Sequence, residues 1–144
     1  MLEAYPSVQI TVLDRPEVVE QAGAHAPVRG LSWRPADLFE PWGLEVDVVL
    51  LSRVLRDWGG DDAHRILGRA RAALTPGGCV VLIEMLLQEG GVAGGLCDLH
   101  LLMATGGRER SAEQFKYLFS AAGLQLGAVR TIAALPAILV GVAS

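Results

Sequence analysis

The sequence predicts an α/β fold with a mainly parallel sheet that ends in an antiparallel hairpin. Strand-like runs alternate with amphipathic helical stretches along the 144 residues, the pattern of a parallel sheet covered by helices. The stretch VDVVLLS at 46–52 is a continuous apolar run, typical of a strand covered on both faces. The last two predicted strands are joined by a short turn at 134–136, and such a short connection forces antiparallel pairing.

The first half of the chain contains three predicted strands and one helix. The strands lie at 8–14, near 29–33 and at 46–52. The helix lies at 15–25, with Pro16 in its first turn and an acidic residue beside it near the positive end of the helix.

The alternation continues with a helix at 61–74. It carries an apolar i, i+3, i+4 stripe, and Asp61 or Asp62 can cap it. The TPGG segment at 75–78 is predicted to end this helix, and a second buried strand follows at 79–87.

A capping-box pattern marks the start of a later helix. Ser111 opens the helical stretch 111–123, and Gln114 follows three residues on. An earlier helical stretch, 95–107, stops at two glycines. The chain closes with two predicted strands, at 125–132 and 137–143.

The composition indicates one globular domain and argues against two classes of partner. The chain is 51% hydrophobic and 19% charged, with a net charge of -4 and singly scattered arginines, which argues against nucleic-acid binding. The most apolar segment, TIAALPAILVGVA, is too short to span a bilayer, and the first residues lack the pattern of a secretory leader. We therefore expect a cytoplasmic protein with no membrane partner. Cys79 and Cys97 fit no metal spacing, so we expect free thiols and no metal site.

Ligands of such sheets bind at the carboxyl ends of the strands, where four polar stretches are predicted to lie. Asp14 ends the first strand, and its carboxylate can accept both hydroxyls of a ribose or cap the next helix. The segment 37–39 can border an adenine ring, or it is an ordinary loop. The segment 52–58 and Glu84 complete this edge of the sheet.

Long segments of the chain resemble a single family, in order. They are VLDRPEVVEQA, then ADLFEPWGLEVDVVLLSRVLRDWGGDDAHRILGRARAALTPGGCVVLIEMLL, then DLHLLMATGGRERSAEQFKYLFSAAGL. Together they resemble the C-terminal catalytic domain of S-adenosylmethionine-dependent O-methyltransferases of the caffeic-acid and hydroxyindole type, which includes bacterial antibiotic-tailoring enzymes. The resemblance implies that 1–144 is the C-terminal portion of a methyltransferase domain with a Rossmann-like sheet.

The resemblance also implies roles for individual residues. S-adenosylmethionine would be bound by Asp14, Arg15, Asp37, Leu38, Phe39, Ser52, Arg53 and Trp58. A small-molecule acceptor, such as a secondary metabolite, would contact Asp57 and Met103, and catalysis would involve Arg56, Glu84 and Glu109. As alternatives, Trp58 and Met103 are core residues and Glu109 is a surface charge. The family further implies a homodimer, formed in the full-length enzyme through an N-terminal domain absent here.

Arg56 departs from the family pattern. Many members carry a histidine at this position, in LHDW, that deprotonates the acceptor hydroxyl, whereas this chain has LRDW. An arginine stays protonated and cannot accept that proton. It can instead lower the pKa of a phenol or carboxylic acid and hold the resulting anion. Glu84, Glu109, His64 and His100 remain candidate bases, although both histidines lie in helical stretches where ordinary surface roles are commoner.

The glycine-rich cofactor loop of the family is the second departure. No glycine precedes Gly23, so the close backbone approach that such a loop gives is not encoded in these residues. By family topology the strand before that loop is central, between the strands at 8–14 and 46–52. We therefore expect a C-terminal fragment, with weakened cofactor binding in isolation.

Three hypotheses for function follow. The first is a methyltransferase acting on the hydroxyl of a phenol or acid. The second is a non-catalytic or truncated methyltransferase-like domain that binds a partner chain, which Arg56 and the missing loop favour. The third, a generic nucleotide-binding α/β protein, agrees less well with the ordered family match.

Overall fold

A computed structural model describes residues 2–23, 27–87, 92–131 and 137–143, with the backbone alone described at 92–97. The predicted turn at 134–136 and the side chain of Cys97 lie outside the described residues. The chain forms two compact units, Met1–Trp42 and Gly43–Ser144, and each is described by itself.

The first unit is a strand–helix–strand motif. It contains β1 (Ile10–Asp14), α1 (Pro16–Gly23) and β2 (Leu31–Pro35). The two strands pair in parallel, with Asp14 opposite Pro35 at their carboxyl ends. The predicted strand–helix–strand order is confirmed, with β2 beginning two residues later than predicted.

The second unit is a four-stranded sheet with helices. Its strands follow the order β3-β4-β6-β5, in which β3 and β4 are parallel and β6 is antiparallel to both of its neighbours. The predicted C-terminal antiparallel hairpin is therefore confirmed. The elements are β3 (Val46–Ser52), α2 (Gly60–Ala72), β4 (Leu74–Glu84), α3 (Val92–Thr105), α4 (Ala112–Ala121), β5 (Leu124–Thr131) and β6 (Ala137–Ala143), with a 3₁₀ turn at Leu55–Asp57.

One face of this sheet packs against α2 and α4, which also contact each other. The ring of Phe119 lies so close to Gly141 that a Cβ there would overlap it. On β3 the side chains alternate, so that Val49 and Leu51 are buried while Val48 and Leu50 are 53% and 50% exposed. The expectation that β3 is covered on both faces is therefore wrong for this chain. The side chains on its uncovered face, Val48 and Leu50, are nevertheless apolar.

Two local predictions are also wrong. The TPGG segment is the irregular start of β4, because the pairing with β3 shifts between Val46 and Val48 and Gly77 adopts a left-handed φ of 81°. The N-cap of α2 is Gly59, which has no side chain to bond, while Asp61 and Asp62 lie in the first turn. In that turn the two acids still interact favourably with the helix dipole.

The capping box of α4 is confirmed. The Ser111 hydroxyl accepts from the Gln114 backbone N–H at 3.3 Å, and the Ser111 N–H donates to the Gln114 side chain at 2.8 Å. This fixes the point where the 106–110 segment passes into α4. Among the described helices, none combines the length and apolar character needed to cross a membrane.

Candidate active site

A cleft of about 340 Å³ lies in the second unit, between the segment that follows β3 and the C-terminal half of α3. One wall comes from the exit of β3 and the 3₁₀ turn, and the other from one face of α3. The lining residues are Arg53, Arg56, Asp57, His100, Leu101, Ala104 and Thr105. Three of them, Arg53, Arg56 and Asp57, are among the predicted site residues.

The chain leaves β3 through a strained residue. Arg53 has a φ of 56°, in the left-handed region that costs a non-glycine residue about 1 to 2 kcal/mol. Its backbone N–H donates to the carbonyl of Ile83 at 2.9 Å, which holds the chain against β4 at this point. Such conformations cluster at functional sites, and Arg53 lies directly on the cleft.

Two buried ionisable side chains fix the 3₁₀ turn. Glu84, with no exposed surface, accepts a hydrogen bond from the Leu55 N–H at 3.0 Å. The guanidinium of Arg110, 3% exposed, donates to the carbonyls of Leu55 and Trp58 at 2.7 and 2.8 Å. These bonds hold both sides of the turn that presents Arg56 to the cleft. Arg110 was not predicted as a site residue, although it lies inside the GGRER motif that carried the resemblance.

The side chains of Arg56 and Glu109 form an ion pair at 3.0 Å, with 13% and 6% of each side chain exposed. The alternative that Glu109 is a surface charge is therefore wrong. Its backbone N–H donates to the carboxylate of Asp98 at 2.8 Å, so α3 also helps to place it. No motif in the sequence identifies Asp98 as a residue of the site. The carboxylate of Glu109 therefore balances the charge of Arg56 even when no methyl-acceptor molecule is bound.

Burial changes the protonation behaviour of these groups. It raises the pKa of Glu84 to about 7, with the Leu55 hydrogen bond acting in the opposite direction. Burial also raises the pKa of Glu109, and the charge of Arg56 partly offsets that rise. For Arg110, burial lowers the pKa and neighbouring Arg108 lowers it further. The second carboxyl oxygen of Glu84 has no hydrogen-bond partner among the described residues.

The second glycine of GGRER, Gly107, has a packing function. The Arg108 N–H donates to the Arg56 carbonyl at 2.9 Å, which brings this segment against the 3₁₀ turn. A Cβ at Gly107 would overlap that carbonyl oxygen and the backbone of Asp57. Only glycine fits there, and the close approach is what allows Glu109 to reach Arg56.

The first unit contains the residues predicted to bind the ribose and adenine. Asp14 and Asp37 lie at the carboxyl ends of the adjacent parallel strands β1 and β2. One oxygen of Asp14 accepts from the Arg15 N–H at 2.8 Å, and one oxygen of Asp37 accepts from the Phe39 N–H at 2.8 Å. The acids are thus oriented by their own loops. Leu38 and Phe39 directly follow Asp37 and are half-buried. Carboxylate acceptors beside apolar side chains are the groups that were predicted to bind a ribose and an adenine.

The remaining predicted residues differ in placement. Ser52 is exposed at the end of β3, and Trp58 is half-buried, its carbonyl bound by Arg110. Met103 is 81% exposed and is not among the residues that line the cleft. The alternative that Met103 is a core residue is therefore wrong, and its contact with the acceptor stays a prediction.

Comparisons with known proteins identify the family. Residues 1–125 match the model of the O-methyltransferase domain. The chain belongs to the O-methyltransferase family. It is 39% identical over 131 residues to the mitomycin biosynthesis 6-O-methyltransferase of Streptomyces lavendulae, covering 88% of this chain and 38% of that protein.

Two solved O-methyltransferases share the fold. Human N-acetylserotonin methyltransferase in complex with SAM is 29% identical with a TM-score of 0.90, over 99% of this chain and 43% of that one. The O-methyltransferase NcsB1 from neocarzinostatin biosynthesis, in complex with S-adenosyl-L-homocysteine and 1,4-dihydroxy-2-naphthoic acid, is 27% identical with a TM-score of 0.82, over 99% and 44%. The chain therefore spans about two fifths of the length of these O-methyltransferases.

Proposed function

We propose that this chain is the catalytic region of an S-adenosylmethionine-dependent O-methyltransferase that methylates a hydroxyl of a small molecule. The acceptor is a phenol or an acid of the secondary-metabolite type. Residues 1–144 form the C-terminal portion of the methyltransferase domain.

The observation that carries the proposal is the Arg56–Glu109 ion pair on the 340 Å³ cleft, beside Asp57. An arginine held by a carboxylate offers its remaining N–H donors to an anionic oxygen without introducing an unbalanced buried charge. The carboxylate of Asp57 can accept a hydrogen bond from a polar group of the molecule that is methylated. Such a site orients an ionised or acidic hydroxyl, and orientation is the main requirement of a simple methyl transfer.

The cofactor residues fit the same proposal. Asp14 and Asp37 would hold the ribose and the adenine of S-adenosylmethionine, with Arg15, Leu38 and Phe39 around them, and Ser52, Arg53 and Trp58 would contact it after β3. When bound, this cofactor supplies an electrophilic methyl group on a sulfonium. The complexes of the human enzyme and of NcsB1 support this assignment. Arg56 and Asp57 then have only to present the acceptor hydroxyl, and Met103 stays a prediction for the acceptor site.

Properties of the whole protein form part of the same proposal. The full-length enzyme is cytoplasmic and homodimeric, with the dimer formed by an N-terminal domain outside this chain. The free thiol of Cys79 is compatible with a reducing compartment.

The test is methyl transfer itself. The protein is incubated with S-adenosylmethionine carrying a trideuterated methyl group and a panel of phenols and aromatic hydroxy acids, and products are analysed by mass spectrometry. We expect a labelled methyl ether or ester, and its loss in Arg56→Ala. An Arg65→Ala variant, which removes an exposed arginine of α2, is the matched control and keeps activity. If no acceptor is labelled and no cofactor binds, with or without an added N-terminal segment, the result contradicts the proposal and favours the partner-binding alternative.

A further inference from the structure

We infer that His100 is the general base of this site and takes the proton from the acceptor hydroxyl. This inference rests on the proposed function, and it concerns a residue on the opposite wall of the cleft from Arg56. His100 lies on the face of α3 that lines the cleft, together with Leu101, Ala104 and Thr105. It is exposed, so its imidazole is open both to the cleft and to solvent.

The other ionisable groups are poorly suited to accept the proton. Arg56 and Arg53 are guanidinium groups, which stay protonated. Glu84 has no exposed surface and does not line the cleft, and Glu109 is held in its ion pair with Arg56. Asp57 does line the cleft, but a carboxylate is a weak base toward a phenol.

A histidine matches the task, because imidazole is the side chain that most often acts as a general base in enzymes. The charged groups around it are Arg53, Arg56 and Asp57 on the facing wall, Glu109 behind Arg56, and Asp98 on its own helix.

The step assigned to His100 is a proton transfer. The O–H bond of the acceptor breaks, an N–H bond forms on the imidazole, and the electron pair stays on the oxygen, which becomes the nucleophile for the methyl group. Arg56 stabilises that oxygen until it reacts. The imidazolium then releases the proton to solvent, which reaches His100 directly because the side chain is exposed.

Neighbouring small side chains make room for this geometry. Ala104 lies one helical turn after His100 on the same face, and Thr105 turns its hydroxyl inward to the Leu101 carbonyl at 3.0 Å. Neither projects a long side chain between the two walls. An acceptor ring placed there can contact His100 on one side and Arg56 on the other.

The test compares two acceptors that differ in their need for a base. Phenol keeps its proton at about pH 8, whereas 4-nitrophenol is largely ionised there. In His100→Gln we expect kcat/KM for phenol to fall by about 10²-fold or more, the usual contribution of a general base, and that for 4-nitrophenol to change several-fold at most. The matched control is His64→Gln, which alters an exposed histidine of α2 that does not line the cleft and should leave both values unchanged. Equal losses for both acceptors would overturn the inference.

A second measurement does not depend on turnover. The imidazole signals of the chain are followed by NMR while 4-nitrophenol is added to the protein saturated with S-adenosylhomocysteine. We expect the His100 signal to shift when 4-nitrophenol is added to the unaltered chain, and not to shift in the Arg56→Ala variant. The His64 signal should stay in place. An unmoved His100 signal would contradict its role. Failure of S-adenosylhomocysteine to bind, measured separately by calorimetry, would refute the proposed function and not the assignment of the base.

Discussion

The guanidinium of Arg56 and the carboxylate of Glu109 lie 3.0 Å apart, almost out of contact with solvent. Arg56 lies on the cleft, and its partner is the acid of the GGRER motif. The two residues are 53 positions apart in the chain, and the close contact at Gly107 brings their segments together. Arg56 is therefore held in a polar site that two distant segments of the chain form together.

Removing one partner of this pair should be costly. In Glu109→Gln the charge of Arg56 stays buried without compensation, and we expect a loss of about 3 kcal/mol in the free energy of unfolding. Arg65→Ala breaks an exposed pair with Asp62 and should cost less than about 1 kcal/mol. Urea denaturation of the two variants measures both values. Equal, small losses would mean that the Arg56 pair contributes no more than a surface pair.

Glu84 should make stability depend on pH. Its pKa is raised from 4.5 to about 7, so between these values the folded chain keeps a proton that the unfolded chain releases. Stability should therefore fall as pH rises through this window, by about 3 kcal/mol in total, and then level off. In Glu84→Gln this part of the slope should vanish. Glu113→Gln, which alters an exposed acid of α4, should keep it. Thermal unfolding between about pH 4 and 8 measures the slope, and an unchanged slope in Glu84→Gln would contradict the assignment.

Two glycine substitutions should change the free energy of unfolding in opposite directions. Gly107→Ala places a methyl group on the Arg56 carbonyl and should destabilise the fold by about 1 to 3 kcal/mol while separating Glu109 from Arg56. Gly68→Ala, in the middle of α2 with free space around it, should stabilise by about 0.5 to 1 kcal/mol. Chemical denaturation of both variants gives the signs. A neutral Gly107→Ala would show that the two segments can separate without cost.

The alternation along β3 gives a fourth stability test. Leu51 is 6% exposed and Leu50 is 50% exposed. We expect Leu51→Ala to cost about 2 to 5 kcal/mol and Leu50→Ala about 1 kcal/mol or less. Denaturant midpoints measure the difference. Similar costs for both substitutions would mean that a further surface covers Leu50 in solution.

Much of the fold follows from local patterns in the sequence. Strand and helix order could be predicted, because apolar periodicity and the capping box of Ser111 and Gln114 act over a few residues. The irregular start of β4 could not, because TPGG suits a turn as well as a bulged strand, and only pairing with β3 decides between them. Half-exposure of Val48 and Leu50 was missed for a similar reason: an apolar run does not reveal how many of its faces are covered.

The site could be predicted in part. Arg56, Asp57, Glu84 and Glu109 were identified through their motifs, and the structure brings them to one region. The role of Arg110 in binding two carbonyls could not be inferred, because those contacts join segments about 50 residues apart. The two histidines looked alike as helix residues, and only the packing of α3 against the 3₁₀ turn separates His100 from His64.

The central claim is that this chain binds the cofactor of a methyltransferase. Calorimetry with S-adenosylhomocysteine tests that claim most directly. The titration is run on the chain alone and with an added N-terminal methyltransferase segment that carries the glycine-rich loop. We predict saturable binding at one site, weakened about 10-fold or more by Asp14→Asn through loss of charge-assisted hydrogen bonds, and unaffected by Glu17→Gln in the first turn of α1. Absence of binding under both conditions would contradict the account.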